Sequence, residues 1–120
     1  MKASELRIGN IIQYSEDSVI FKVIGVHEYG LDVENDIETT YIELDQFEPI
    51  PLTEEWLFKF GFKKDGKYNS SDRWMGIFNQ PLIMGNGYLT IPNYPLTEIK
   101  YVHQLQNLYF ALTGQELEIK

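Results

Sequence analysis

Cysteine is absent from the 120 residues, and histidine occurs only as His27 and His103. Without a thiol there is no disulfide framework, no thiolate zinc site and no cysteine nucleophile. Long apolar runs are missing too. No stretch approaches the roughly 18 apolar residues that span a bilayer, and the opening MKASELRIGN holds no apolar segment of signal-peptide length. These absences lead us to expect a soluble protein in a reducing, cytoplasmic setting, without a membrane association. Phosphate-binding glycine loops are also lacking. GNG at 85–87 lies between strand-like runs and reads as a hairpin turn. We expect no cofactor.

Positive charge is scarce in the first half. The net charge is −8. Residues 1–50 account for all of it, since Lys2, Arg7 and Lys22 are their only lysines and arginines. Residues 51–120 balance. An acidic half repels phosphate backbones and attracts basic partners. Composition is otherwise that of a globular domain: 43% hydrophobic and 23% charged, with seven Phe, eight Tyr and two Trp as bulky material. That is enough for a core without metal or disulfide staples, and the aromatic content would serve a homo-oligomer interface as well as a core.

Strand-like segments fill the first half. GNIIQYS (9–15), SVIFKVIGVHEY (18–29), LDVEND and IETTYIEL (37–44) are rich in β-branched and aromatic residues, with Gly30 and Asn35-Asp36 as turn chemistry. In SVIFKVIGV both alternation phases are apolar except at Lys22 and Gly25. That suits a barrel wall or a sheet covered on both faces. Asp45 to Glu48 can form one helical turn before Pro49 and Pro51 force an extended exit. We therefore expect residues 1–50 to form an SH3-like small β-barrel or meander.

PLTE occurs twice, at 51–54 and 95–98, and predicts a helix start each time. Thr53 and Thr97 serve as N-caps with acids behind them on the dipole. Leu52 can staple to Leu57, and Leu96 to Tyr101. The segments diverge afterwards, so the device is a cap and not a repeat. Gly61 and Gly114 are the expected stops. On a helical wheel the second helix presents Ile99, Tyr101, Val102, Leu105, Leu108, Tyr109, Phe110 and Leu112 along one apolar arc, with Gln106 the exception inside it. Asp65-Gly66 and Asn86-Gly87 mark hairpin turns between the helices. The fold class is thus α+β: a strand-rich subdomain at 1–50 packed on a helix, antiparallel sheet, helix subdomain at 51–120.

LRIGN (6–10), EPIPLTEEWLFKFGF (48–62) and EIKYVHQLQNLYFALTGQELE (98–118) together give the chain a familiar look. It resembles a group of small uncharacterised proteins encoded by phages, prophages and mobile elements of gut bacteria. The resemblance implies a bacterial or phage-infected cytoplasm and an accessory role. It brings no catalytic residue with it.

Three chemistries remain to be weighed. Asp32, Glu34, Asp36, Glu38 and Glu43 match positions 1, 3, 5, 7 and 12 of a calcium loop, but Ile37 replaces the glycine of the sharp turn and the flanks read as strand. We read them as outward acids of a strand and turn, and expect no metal. On one face, Asp32, Glu34 and Asp36 would repel one another until a basic partner relieved them. With Glu38 and an exposed Trp74 they are the candidate partner-binding residues. Lys63, Lys64, Lys67 and Arg73 cluster near Tyr68 and Trp74, which is the alternative: a basic-aromatic hairpin touching nucleic acid. Catalysis finds least support, because neither histidine sits in a nucleophile motif. The expected function is a non-catalytic module that binds another protein, of host or phage.

Overall fold

A computed structural model describes residues 5–64, 73–75, 82–85, 88–91 and 94–119. The chain forms two compact units, one of Met1–Ile50 with Val102–Glu116, the other of Pro51–Tyr101 with Leu117–Lys120.

The first unit is built on a curled five-stranded antiparallel sheet, half of a barrel. Its strands are β1 (Ile11–Tyr14), β2 (Ile20–Val26), β3 (Gly30–Glu34), β4 (Thr39–Glu43) and β5 (Phe47–Glu48), in the order β4-β3-β2-β1-β5. Alternation places Phe21, Val23, Leu31, Val33 and Ile42 on one face, where they bury with Leu6, Ile12 and Phe47. The second apolar phase of β2 is not covered: Ile20 and Val26 are exposed, and a register shift between Val23 and Gly25 interrupts the ladder. The helical turn expected at 45–48 is a turn and a short strand instead. Phe47 and Glu48 pair with Tyr14 and Gln13, which a helix would forbid.

Helix α2 (Val102–Thr113) belongs to this first unit and not with the strands that precede it. Polar side chains tie it to the N-terminal segment. Gln106, the exception on the wheel, is fully buried. Its Oε1 accepts from the Ile11 N–H at 2.8 Å and its Nε2 donates to the Gly9 carbonyl at 3.1 Å. Asn107 Oδ1 accepts from Asn10 Nδ2 at 2.8 Å and from Arg7 Nε at 3.0 Å. Arg7 also reaches Glu116 Oε1 at 2.7 Å and lies 4.2 Å over the Phe110 ring. Gly9 sits at φ +101°, where a side chain would be strained and would press on the Glu116 carboxylate. LRIGN and QLQN…GQE are thus the two halves of one polar joint.

The second unit opens with α1 (Glu54–Lys59) and continues as an antiparallel sheet of β6 (Lys63–Lys64), β7 (Arg73–Met75), β8 (Leu82–Gly85), β9 (Tyr88–Ile91) and β10 (Tyr94–Ile99), in chain order. Thr53 is the N-cap of α1 by position and backbone angle, though its side chain makes no capping hydrogen bond. The helix ends in a Schellman arrangement. Phe62 N–H bonds to the Leu57 carbonyl, Gly61 N–H bonds to the Phe58 carbonyl, and Gly61 takes φ +92°. Leu52, Trp56, Leu57, Phe60 and Phe62 are buried.

The second PLTE is not a cap. Residues 95–98 lie inside β10, which pairs with β9 at Tyr94–Ile91 and Ile99–Leu89. The pairing on either side of an irregularity over 95–98 holds that segment extended, and the helix starts later, at Val102. There the first N–H bonds to the Ile50 carbonyl. The later start also shortens the apolar arc. Val102, His103, Leu105 and Gln106 are buried, whereas Phe110 and Leu112 are exposed. The expected hairpin turns Asp65-Gly66 and Asn86-Gly87 lie outside the described residues, as does Lys67. Among the described residues no helix is long and apolar enough to cross a membrane.

Candidate functional site

Three turns of the curled sheet contribute to the lining of one cleft. In the β1–β2 turn, Tyr14 N–H bonds to the Val19 carbonyl and Asp17 Oδ1 accepts from Val19 N–H at 3.0 Å. Ser18 takes φ +60° at the corner. In the β3–β4 turn, Asn35 Oδ1 accepts from both Ile37 and Glu38 N–H at 2.9 Å, an Asx turn that fixes Glu38. In the β4–β5 turn, Gln46 N–H bonds to the Glu43 carbonyl and Gln46 Oε1 accepts from Glu43 N–H, both at 2.9 Å. Ser15 N–H bonds to the Gln46 carbonyl, tying this turn to the first.

The cleft so enclosed has a volume of about 350 Å³. Phe21 and Ile42, both buried, are its innermost lining. Tyr14 and Val19 add partly or fully exposed apolar surface, Thr40 and Gln46 add neutral polar groups, and Tyr41 borders the cleft from β4 with its ring on the other face, toward His27. Asp17 and Glu38, both exposed, are the charged groups of the lining, and among the described residues no lysine or arginine belongs to it. An aromatic hollow edged by carboxylates attracts a cation twice over, through ring faces and through charge. Its size is that of a side-chain or small-ligand site.

The acids singled out in the sequence do not converge. Asp32 and Glu34 are on β3, but each has a neighbour of its own. Asp32 Oδ2 lies 2.7 Å from His27 Nε2, and Glu34 stands opposite Lys22 in the ladder. Asp36 is in the turn, and only Glu38 reaches the cleft. The calcium-loop spacing spans a β-hairpin, with β3 and β4 paired from Gly30–Glu43 to Glu34–Thr39. Trp74 is placed in β7 of the second unit, where its backbone pairs with Lys64 and Leu82. Lys63, exposed, pairs with Met75, and Arg73 with Ile83. Tyr14, Asp17, Tyr41 and Gln46 escaped the sequence reading. Tyr14, Asp17 and Gln46 share a position in or next to a turn, whereas Tyr41 is mid-strand in β4.

The histidines take different environments. His27 and Asp32 form a half-exposed pair with the Tyr41 ring 5.9 Å from the imidazole, on the solvent side of the sheet. His103 is buried on α2, and burial pushes its pKa below 6.5, partly opposed by the Glu5 carboxylate. It is therefore neutral at pH 7. Comparison of the chain with protein-family models, with curated proteins and with solved structures finds no match.

Proposed function

We propose that this chain is a non-catalytic protein-interaction module whose first unit receives a basic segment of a partner protein in the acidic, tyrosine-lined cleft. The half-barrel would be an SH3-like scaffold in this role. The resemblance to phage and mobile-element proteins makes the setting the cytoplasm of a bacterial cell or phage-infected host, and the partner a host or phage protein. The observation that carries the reading is the lining itself: Tyr14 and Phe21 with Asp17 and Glu38, and among the described residues no lysine or arginine in it. The uneven charge supports it, since the whole net −8 falls in residues 1–50 and would steer a basic partner toward this unit.

The test is a titration with a blocked octapeptide alternating lysine and threonine, set against its glutamate counterpart and a single-stranded oligonucleotide. The lysine peptide is expected to bind at low salt and to weaken as salt rises. The double variant Asp17→Asn, Glu38→Gln should weaken it by about tenfold, the worth of one or two charge-assisted contacts. Unchanged affinity in that variant removes the cleft from the account, and preference for the oligonucleotide moves the function to nucleic acid.

A further inference from the structure

Among the described residues, the edge of the sheet beside the cleft is open. In the order β4-β3-β2-β1-β5 the two outer strands are β4 and β5. β5 has two residues and runs into Pro49, a protected end. β4 has five residues, Thr39–Glu43, with neither proline nor lysine.

Its hydrogen-bond phase follows from the two bonds that flank the ladder. Leu44 N–H bonds to the Tyr29 carbonyl, and Asn35 N–H bonds to the Glu38 carbonyl. With the β3–β4 register, these make Leu31–Ile42 and Val33–Thr40 the bonded pairs. Asp32–Tyr41 and Glu34–Thr39 are then the non-bonded pairs, so the N–H and C=O of Thr39 and Tyr41 point away from β3. The Glu43 N–H points the same way and is taken by Gln46 Oε1 at 2.9 Å. Among the described residues, Thr39 and Tyr41 have no such partner. Both are exposed, and Tyr41 also lines the cleft with Thr40, Ile42 and Glu38. Edge and cleft are one surface.

We propose that the partner segment binds as an added β-strand on β4, bonding its main chain to Thr39 and Tyr41 and sending a lysine or arginine side chain into the cleft toward Asp17 and Glu38. This mode rests on the interaction reading above and specifies how it is achieved. An extended segment has side chains on alternate sides. Those on one side share the face of Thr40 and Ile42 and enter the cleft. Those on the other share the face of Tyr41 and Glu43, with Asp32 and Glu34 on the neighbouring strand, so cations are favoured on both sides. Charge also selects the occupant. A second copy of this chain would bring the same acidic strand and be repelled, whereas a basic segment is drawn in.

Two measurements with the whole chain decide it. The first is amide hydrogen exchange. Without peptide, Thr39 and Tyr41 should exchange fast while Thr40 and Ile42 are slowed by their bonds to β3. With the lysine–threonine octapeptide, the Thr39 and Tyr41 amides should slow by about tenfold or more. The second compares that peptide with a version N-methylated at every peptide bond, which keeps charges and side chains but cannot enter a ladder. Its affinity should fall by about tenfold or more, the worth of one or two net hydrogen bonds. Equal binding of both peptides, or binding without protection of Tyr41, overturns strand addition and leaves the cleft reading intact. No binding of either peptide at low salt overturns both. Protection of Tyr41 that rises with protein concentration alone overturns it in favour of a β4–β4 dimer.

Discussion

Gln106 supplies from a side chain what a neighbouring strand would supply from its backbone. It has one acceptor and one donor, and it meets the Ile11 N–H with the first and the Gly9 carbonyl with the second. Leucine in its place would match the apolar arc better and fold worse. Gln106→Leu leaves the buried Ile11 N–H and the part-buried Gly9 carbonyl without their partner, so we expect a loss of about 2 kcal/mol, read as a lower urea midpoint with unchanged m. Retention of wild-type stability would show that water or a shifted backbone serves equally well. His103, three residues earlier, makes stability depend on pH. The unfolded chain takes up its proton near 6.5, whereas the folded chain holds the imidazole neutral to lower pH. Its contribution is therefore level above 6.5 and falls as pH drops below it. Between pH 7 and 5.5 the wild type should lose more stability than His103→Gln, and parallel profiles would contradict that cause.

At the scale of elements, PLTE shows one local signal with two outcomes. At 51–54 it opens α1, and at 95–98 it lies within β10. The letters are equal, but Ile91 and Leu89 of β9 pair with Tyr94 and Ile99, the residues that flank the second copy, and hold it extended. Even the working cap is partial, because the Thr53 side chain makes no cap bond. Thr53→Ala is accordingly expected to cost under about 0.5 kcal/mol, well below the usual ~1 kcal/mol for a capping threonine. A thermal melt checks this, and a larger loss would mean that the hydroxyl caps in solution. The closing turn of α1 was fully legible, since only glycine suits φ +92° at that point.

For the whole molecule, the first unit is discontinuous in the chain: residues up to Ile50 are completed by Val102–Glu116. Residues 1–50 alone lack Gln106, Asn107 and Glu116, the partners of Ile11, Gly9, Asn10 and Arg7. That fragment is expected to be unfolded by circular dichroism even though it contains all five strands. Adding a peptide of residues 102–116 should restore β structure at sufficient concentration. A fragment that folds alone would show that α2 is an ornament on a self-sufficient sheet. The arrangement also requires α2 to return across about fifty residues, a closure that slows folding more than it costs stability.

The sequence by itself determined the α+β class, the first four strands, the end of α1 and the placement of charge. Those rest on local chemistry: alternation, glycine angles and the sign of side chains. It also flagged Gln106 as out of place, without saying why. Only the tertiary structure decided that the second PLTE is strand, that α2 completes the first unit, and that Tyr14, Asp17, Glu38 and Tyr41 share a cleft while Asp32 turns to His27. Each of those depends on which distant backbone or side chain satisfies a hydrogen bond or charge, and spacing along the chain does not carry that information.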